Sequence, residues 1–391
     1  MAGSVAQRAG YAGHAWAFLQ YLLGLQELGH EVLFVDVLPP SGEPAQDRAR
    51  ATYLTHQLRA LGERVPVAVL GSDAPGLVPA DEALSFTRTA SALINVMGFL
   101  RDERFLDAGP LRVFLDIDPG FGQMWRELGL ADVLAGHDAH VTVGGNVGKP
   151  GCEVPTCGLQ WITTRPPVVL RHWPVAPVAP AGGGMFTTIA SWRGPFGPVT
   201  YQGRTYGLRV HEFRRFLGLP SRSGADFELA LDIDDAEQRD LELLRAHGWR
   251  LRAPASIAGD VVSYRTYVQR SAAELLVAKH MYVDTRSGWF SDRSACYLAS
   301  GRPVLAQDTG LSGLGAAQRG LVLFSDLDEA VAGVRDIRAA RVRHAVAARV
   351  AAERLFASSV VLPELLSRLA LTSQSRTART GRRIARRGGA A

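Results

Sequence analysis

The sequence has little that is typical of membrane or secreted proteins. No uninterrupted apolar run in its 391 residues approaches the ~20 residues that a membrane helix needs. The opening MAGSVAQRAG lacks the charged and then apolar pattern of an export signal. We therefore expect a cytoplasmic protein without a transmembrane segment. Its 47% content of hydrophobic residues is that of a globular chain with an ample core.

Cysteine is also scarce. The chain has only Cys152, Cys157 and Cys296, which are too few for a disulfide framework. Cys152 and Cys157 lie in GCEVPTC, which looks like half of a metal site, but no second half follows. The cysteines therefore predict neither a disulfide-stabilised fold nor a metal centre.

The formal net charge of +5 comes from the C-terminal end. The segment SRTARTGRRIARRGGAA holds six arginines and no acidic residue, so the rest of the chain is close to neutral. Such a run predicts a solvated, disordered basic tail over residues 372–391, and we expect no specific binding of nucleic acid. Weak contact of this tail with acidic surfaces is the alternative.

Apolar segments alternate with amphipathic ones in the first half of the chain. In HAWAFLQYLLGLQELG an apolar stripe recurs with helical period, and EVLFVDV follows it as a buried strand. Further short strands are predicted in VPVAVLG, ALINVMG, LRVFLDI, AHVTVGG and PVVLRHW. The alternation predicts a parallel α/β domain over residues 1–174.

A segment rich in proline, alanine and glycine predicts a linker over residues 175–184, after which the pattern begins again. MFTTIAS, DFELALDI, MYVDT and PVLAQD are predicted strands, whereas AAELLVAKH and DRSACYLASG are predicted helices. Residues 185–371 are therefore predicted to form a second α/β domain. Two doubly wound, Rossmann-like domains leave a cleft at the carboxyl ends of their strands, where open α/β folds bind ligands.

Two loops of the second domain are expected to face this cleft. The first follows the opening strand in TIASWRGPFG and carries Ser191, Trp192 and Arg193. In the first domain, GGNVG (144–148) is another loop that we expect on the cleft side. We interpret the loop with Ser191 as part of a ligand site and the GGNVG loop as facing a second substrate.

The second loop, TRSGWFSDRS, precedes a predicted helix. Ser291 is a good N-cap, and Asp292 in the first turn suits the helix dipole. Free N–H groups at such a helix start favour a phosphate, and Arg286 and Arg293 would add charge-assisted hydrogen bonds to a diphosphate. An ordinary capped helix with surface arginines explains the same residues equally well.

Polar residues also follow the next strand. PVLAQDTG ends in Asp308, Thr309 and Gly310, which we expect to hold sugar hydroxyls. Lys279, one of only two lysines, is placed at the end of a predicted helix, where it either complements the dipole or reaches a phosphate. Glu274 on the same predicted helix is expected to be an exposed helix former.

The layout resembles the GT-B class of nucleotide-sugar-dependent glycosyltransferases. LASGRPVLAQDTG is similar to the alanine, glycine, proline-valine and terminal glycine pattern in the donor-binding half of these enzymes. GHAWAFLQYLLGLQELGHEVLFV resembles their opening helix and second strand. The resemblance implies a nucleotide diphosphate-sugar donor held by the second domain and an acceptor held by the first, with no cofactor besides the donor.

Two departures from the family pattern stand out. Many retaining members carry two glutamates eight residues apart, and the corresponding positions here are Gly288 and Cys296. GWFSDR occupies this place, with Asp292 as a partial substitute. MAGSVAQ does not look like a buried strand, so we expect the first strand to be missing or truncated: either it lies upstream of Met1, which we favour, or the sheet lacks an edge.

The resemblance also suggests how an acceptor hydroxyl is deprotonated. His14 occupies the position where inverting GT-B enzymes with this helix start place a general base, although a histidine satisfied by the backbone is the simpler interpretation. Asp118, in DIDPGFGQMW, is the next candidate. Asp116 and Asp118 look like a metal-binding pair, but GT-B enzymes generally stabilise the diphosphate with protein groups, so no metal is predicted.

Metal-independent transfer of a sugar to an acceptor hydroxyl is therefore the predicted function. A non-catalytic nucleotide-sugar-binding or scaffold protein of the same fold, and a sugar-nucleotide epimerase, are the alternatives. A dinucleotide-dependent oxidoreductase is disfavoured, because no G-x-G-x-x-G follows a predicted strand in either half.

Overall fold

The computed structural model describes residues 1–178, 184–314 and 320–371. Residues 179–183 of the predicted linker (175–184) and the whole predicted basic tail (372–391) lie outside the described residues. No helix within the described ranges is long and apolar enough to cross a membrane. Two parallel sheets, of seven and six strands, form the centres of two α/β domains.

The first sheet has the strand order β3-β2-β1-β4-β5-β6-β7, and every pairing in it is parallel. Its strands are β1 (Ala2–Gly3), β2 (Phe34–Val37), β3 (Val67–Leu70), β4 (Ala92–Val96), β5 (Leu111–Asp116), β6 (Ala139–Thr142) and β7 (Trp161–Thr163). The helices of this half are α1 (Ala12–Glu27), α2 (Pro44–Ala60), α3 (Ala80–Thr89), α4 (Glu103–Leu106) and α5 (Phe121–Glu127).

The second sheet has the order β12-β11-β8-β13-β14-β15, again with parallel pairing. Its strands are β8 (Phe186–Ser191), β11 (Phe227–Asp232), β12 (Arg250–Arg252), β13 (Ala273–Leu276), β14 (Val304–Gln307) and β15 (Leu321–Phe324), and β9 (Val199–Tyr201) with β10 (Arg204–Tyr206) forms a separate hairpin. The helices are α6 (Arg209–Phe213), α7 (Leu219–Ser223), α8 (Gln238–Ala246), α9 (Ala255–Ala258), α10 (Val261–Arg270), α11 (His280–Asp284), α12 (Asp292–Ala299), α13 (Leu327–Ala339), α14 (Arg341–Ala351) and α15 (Ser358–Arg368).

The last helix returns to the first domain. Val168 N donates to Phe356 O at 2.7 Å, and Ser358 N donates to Val168 O at 2.9 Å, so the chain is fixed where it crosses back. Helix α15 then packs on α1 at Gly24, where a Cβ atom would lie 2.6 Å from Leu362 Cδ1. Glycine at position 24 therefore permits the close approach of the two helices.

The first strand is truncated rather than missing. Ala2 and Gly3 pair with β2 on one side, and Ala2 pairs with Asn95 of β4 on the other, so this two-residue strand lies inside the sheet. The interpretation of MAGSVAQ as lacking a strand is therefore wrong. A strand of two residues is too short to show the alternation or apolar run by which strands are recognised.

Two predicted elements around Lys279 have the opposite secondary structure. AAELLVAKH contains strand β13 instead of a helix, and MYVDT lies in helix α11 instead of a strand. Alanine, glutamate and leucine favour helices, but residues 273–276 lie between β8 and β14 in the centre of the sheet. Tertiary packing thus outweighs local propensity.

Candidate functional site

Two large cavities lie along the cleft between the domains, next to a smaller one of about 270 Å³ that is lined by Arg8, Tyr11 and residues 191–195. We call the first the interdomain cavity; it has a volume of about 550 Å³ and is lined by the loop before α1, the start of α1, the end of β8, the segment after β12 and the start of α12. The second, the apolar cavity, has a volume of about 940 Å³ and lies mainly at the carboxyl ends of the first sheet. Arg8, His14 and Ile117 line both cavities, so they mark the boundary between them.

The short segment RAGYAGH leads from the first strand into the interdomain cavity. Gly10 has φ = +89°, a conformation that side chains rarely adopt, and this turn brings the chain to the start of α1. A Cβ at Gly13 would lie 3.0 Å from the Tyr264 ring. No side chain caps the start of α1, so its first N–H groups and the positive end of its dipole adjoin the cavity that Ala12 and His14 line.

Three arginines line the interdomain cavity. Arg8 makes no side-chain hydrogen bond or ion pair with any described residue. Arg209 donates from Nε to Val277 O at 3.0 Å and from Nη1 to Ser191 O at 2.9 Å. Burial, together with the charge of Arg293, lowers the pKa of Arg209 to about 10, so it remains a cation at neutral pH. Three guanidinium groups therefore lie on the cavity wall, together with the carboxyl groups of Asp232 and Asp292.

Arg293 takes part in a buried ion pair. Its Nε donates to Glu274 Oε1 and its Nη1 to Ile189 O, each at 2.5 Å, while its Nη2 is buried without a hydrogen-bond partner. Glu274 is completely buried on β13, so the expectation of an exposed helix former is wrong. Burial raises the pKa of Glu274 above its ordinary value although Arg293 opposes the shift. Arg293 thus both lines the cavity and neutralises a buried carboxylate.

The predicted helix start at Ser291 is confirmed. Ser291 is the N-cap of α12, and its hydroxyl accepts a hydrogen bond from Arg293 N at 3.2 Å. Asp292 lines the interdomain cavity, where burial raises the pKa of its carboxyl. A carboxyl group therefore lies beside the arginines at the start of α12.

The three predicted residues at the end of β8 and just after it lie in three different environments. Ser191 lines the interdomain cavity, and its hydroxyl donates to Asp232 Oδ2 at 3.3 Å. Trp192 is 1% exposed, and its indole donates to Asp240 at 2.8 Å inside the second domain. Arg193 forms a surface ion pair with Glu237. Of these three predicted residues, only Ser191 lies in the interdomain cavity.

Asp308, Thr309 and Gly310 lie outside the linings of both cavities. Asp308 Oδ1 accepts hydrogen bonds from Gly310 N at 2.8 Å and Leu311 N at 2.7 Å, which closes a turn. Thr309 is buried, and its hydroxyl donates to Trp289 O at 2.6 Å. In the structure these residues stabilise the loop, and their role in holding sugar hydroxyls stays a prediction.

The loop of Asn146 bonds the first domain directly to the second. Asn146 Nδ2 donates to Arg286 O at 3.0 Å and Gly310 O at 2.8 Å, and Asn146 N donates to Ser287 O at 3.0 Å. We call this set of contacts the asparagine bridge. Gly288 has φ = +69°, and a Cβ there would lie 2.9 Å from Asn146 Cγ. Arg286 thus contributes its carbonyl group, while its side chain is exposed.

His14 lies in the first turn of α1. Its Nε2 is 3.4 Å from Ser4 Oγ, and its ring meets Phe18 edge-on. Burial, and then the charge of Arg8, lowers the pKa of His14 to about 4, so the imidazole is neutral at pH 7. A neutral imidazole on the boundary of the two cavities is able to accept a proton there.

Asp118 is held by two residues of the second domain. Lys279 Nζ donates to Asp118 Oδ2 at 2.6 Å, and the Tyr282 hydroxyl donates to Oδ1. Lys279 precedes α11, so its predicted place at the end of a helix is wrong. Its ammonium also lies 4.9 Å from the Phe121 ring centroid and 5.8 Å from that of Phe196. The Asp118 carboxylate is therefore occupied by an ion pair across the cleft.

Arg8 and Arg209 are cationic cavity residues that the sequence did not reveal. Arg8 lies six residues before His14, so its proximity to that candidate was the available signal. Arg209 starts α6, beyond a hairpin, where no recognisable motif marks it. Within the three described ranges, no group of three or more histidine, cysteine, aspartate or glutamate residues is arranged to hold a metal ion.

Comparison with known proteins gives structural neighbours at low sequence identity. No protein-family model matches the sequence, and no curated protein matches it. The structure of HepE from Anabaena in complex with UDP and glucose is 11% identical, with a TM-score of 0.55 over 95% of the present chain and 98% of HepE. Sucrose-phosphate synthase from Thermosynechococcus elongatus is 11% identical, with a TM-score of 0.51 over 90% and 92% of the two chains.

A third neighbour is AviGT4, a glycosyltransferase involved in avilamycin A biosynthesis. It is 14% identical, with a TM-score of 0.50 over 93% of the present chain and 91% of AviGT4. Each match spans both domains and the cleft between them. The chain therefore has the GT-B fold, and the prediction of two Rossmann-like domains facing a cleft is confirmed.

Proposed function

We propose that the chain is a glycosyltransferase, which moves a sugar from a nucleotide diphosphate-sugar to an acceptor hydroxyl. The observation that carries the proposal is the convergence of Arg8, Arg209, Arg293 and the uncapped start of α1 on one cavity. Guanidinium groups and helix N–H groups are the donors that suit a diphosphate. The cavity volume of about 550 Å³ lies within the range of about 300–1,000 Å³ that is usual for ligand pockets.

The structural neighbours support this use of the cleft. HepE was solved with UDP and glucose, and AviGT4 is named as a glycosyltransferase involved in avilamycin A biosynthesis. We infer that the interdomain cavity of the present chain binds the donor. The apolar cavity on the other side of His14 is then the place for the acceptor.

In the proposed reaction the acceptor oxygen attacks the anomeric carbon of the donor. The bond between this carbon and the diphosphate oxygen breaks, and the nucleoside diphosphate leaves with the electron pair. His14 takes the acceptor proton under an inverting course, as a neutral base on the boundary of the cavities. The arginines stabilise the negative charge that grows on the diphosphate.

Removal of divalent metal ions is expected to leave the activity unchanged. The three arginines of the interdomain cavity supply positive charge at the proposed diphosphate site, so we propose a metal-independent reaction without a cofactor. Sugar transfer should therefore proceed at the same rate in EDTA as in magnesium. A large loss of rate in EDTA that magnesium restores would refute this part of the proposal.

Replacement of Arg8 provides the direct test of donor binding. Arg8→Ala removes a cavity cation that has no side-chain partner among the described residues, so UDP binding should weaken about tenfold while Tm stays the same. Arg48→Ala, which removes an exposed arginine of α2, is the matched control and should bind UDP like the unaltered protein. Calorimetric titration measures both. Equal UDP affinity in the two variants would remove Arg8 from the site.

A donor panel separates transfer from the alternative functions. Titration with several nucleoside diphosphates, followed by an assay for sugar release to water or to an acceptor, distinguishes an enzyme from a binding protein. Binding without any release would favour the scaffold function, and an altered sugar without an acceptor would indicate an epimerase. A cytoplasmic location and weak contact of the basic tail with acidic surfaces stay predictions from the sequence.

A further inference from the structure

The apolar cavity has aromatic walls from both domains. Phe99 and Trp125 come from the first domain and Phe196 from the loop after β8, and all three are half-buried. The Trp125 and Phe196 rings meet edge-on, with centroids 4.9 Å apart. Partly buried aromatic faces along a cavity wall provide a large apolar contact area for a bound molecule.

Most polar groups on the cavity wall are already bonded within the protein. Gln7 Nε2 donates to Val37 O at 2.8 Å, and Arg104 forms an ion pair with Asp102 at 2.7 Å. Asp118 is occupied by Lys279 and Tyr282, as described above. These groups therefore have limited capacity for hydrogen bonds to a ligand.

The remaining polar side chains on the cavity wall are few. Arg8 and His14 lie at the boundary with the interdomain cavity, and Arg101 is exposed. A sugar chain buries many hydroxyl groups, and each one that loses water without gaining a partner costs free energy. A cavity with few available polar groups therefore disfavours a sugar chain and favours an apolar molecule with one reactive hydroxyl.

We propose that the acceptor is an apolar alcohol or phenol, bound in the apolar cavity with its hydroxyl group towards His14. The inference rests on the proposed glycosyl transfer and specifies its acceptor. The acceptor oxygen forms the new bond to the anomeric carbon, its proton passes to His14, and the nucleoside diphosphate leaves with the electrons of the broken bond. The product is an apolar glycoside.

Binding of simple probes tests the acceptor class. Calorimetric titration of the full chain with naphthol, decanol and maltose, in the presence of UDP, distinguishes a ring system, an alkyl chain and a sugar. We expect naphthol or decanol to bind with a negative change in heat capacity, the mark of apolar burial, and maltose not to bind. Binding of maltose, or binding of neither apolar probe, would overturn the inference.

A pair of variants locates the site. Trp125→Ala should weaken binding of the apolar probe about tenfold, because it removes an aromatic face of the cavity wall. Leu130→Ala is the matched control: Leu130 follows α5, is 69% exposed and lies outside the cavity lining, so probe binding should not change. Equal binding by Trp125→Ala and the unaltered protein would contradict the assignment.

The two proposals fail in different ways. Loss of UDP affinity in Arg8→Ala tests the donor site, whereas the response of naphthol or decanol binding to Trp125→Ala tests the acceptor site. If UDP binds and sugar is released while neither apolar probe binds, glycosyl transfer stands and the apolar acceptor is wrong. If UDP and other nucleoside diphosphates do not bind, the proposed function itself is wrong.

Discussion

Replacement of His14 by asparagine is expected to reduce sugar transfer by about 10²–10⁴-fold, the usual contribution of a general base. Asparagine keeps a polar side chain at the start of α1 but cannot take a proton from the acceptor. UDP affinity should persist, since the arginines and the helix start are unchanged. Steady-state transfer kinetics and UDP titration together measure the two effects.

His30→Asn is the matched control for this experiment. His30 is an exposed histidine just beyond the other end of α1 and outside both cavity linings, so its replacement should leave transfer unchanged. Retained turnover in His14→Asn would exclude His14 as the base. Asp118 or a group of the substrate would then have to take the proton, and for Asp118 this requires release from Lys279.

The acid limb of the pH profile provides a second measurement on His14. Burial and the charge of Arg8 lower the pKa of His14 in the free protein to about 4. The neutral form, which acts as the base, is therefore present at pH 7 and is lost only as the pH falls through about 4. The acid limb of kcat/KM should lie near this value, and a limb near the ordinary histidine pKa of about 6.5 would contradict the lowering of this pKa by burial.

Arg293→Ala is expected to destabilise the fold by about 3–5 kcal/mol, because it leaves the Glu274 carboxylate buried without its partner. This is the largest stability effect that we expect from a predicted donor-site residue. Thermal and urea unfolding measure it, and the double variant Arg293→Ala with Glu274→Gln should recover part of the loss because it removes the buried charge. No loss of stability in Arg293→Ala would show that the pair is dispensable.

The effect of pH on this variant has a defined sign. Burial raises the pKa of Glu274, so the folded state holds its proton more tightly than the unfolded chain. The stability that this protonation contributes is present below the pKa of Glu274 in the unfolded chain. It is lost as the pH rises through the higher pKa of Glu274 in the folded state. The defect of Arg293→Ala should therefore be smaller in acid than at neutral pH.

Arg222→Ala is the matched control for Arg293→Ala. Arg222 and Asp328 form an exposed ion pair at 2.6 Å in the same domain, with 50% and 78% of their side-chain surfaces accessible. Such pairs contribute little, so this variant should change the stability by no more than about 1 kcal/mol at any pH. A comparable loss in both variants would show that burial of Glu274 is not the cause.

The domain architecture was predictable because long segments carry clear periodicity. The α1 stripe, the apolar strands of both sheets and the N-cap at Ser291 each depend on residues close in sequence. Strand β13 was not predictable in this way, since its residues favour a helix and are placed by their neighbours in the sheet.

The candidate site was predicted less well than the fold. His14, Ser191, Asp292 and Arg293 do line the interdomain cavity, because each follows a strand or starts a helix at the cleft. Trp192 and Thr309, by contrast, turn into buried environments that depend on partners far along the chain. Side-chain direction in a loop is set by such distant contacts, which no local pattern records.

The asparagine bridge restricts which residues position 288 can hold. The sequence resemblance places Gly288 at the first glutamate of the pair in many retaining GT-B enzymes. A Cβ at 288 would lie 2.9 Å from Asn146 Cγ, so a side chain there requires Asn146 to move. A glutamate at 288 and the bridge from Asn146 are therefore mutually exclusive. Positions 146 and 288 are therefore expected to be epistatic across the two domains. A glutamate at 288 requires the hydrogen bonds of Asn146 to be lost, and replacement of Asn146 alone loses these bonds without adding the glutamate.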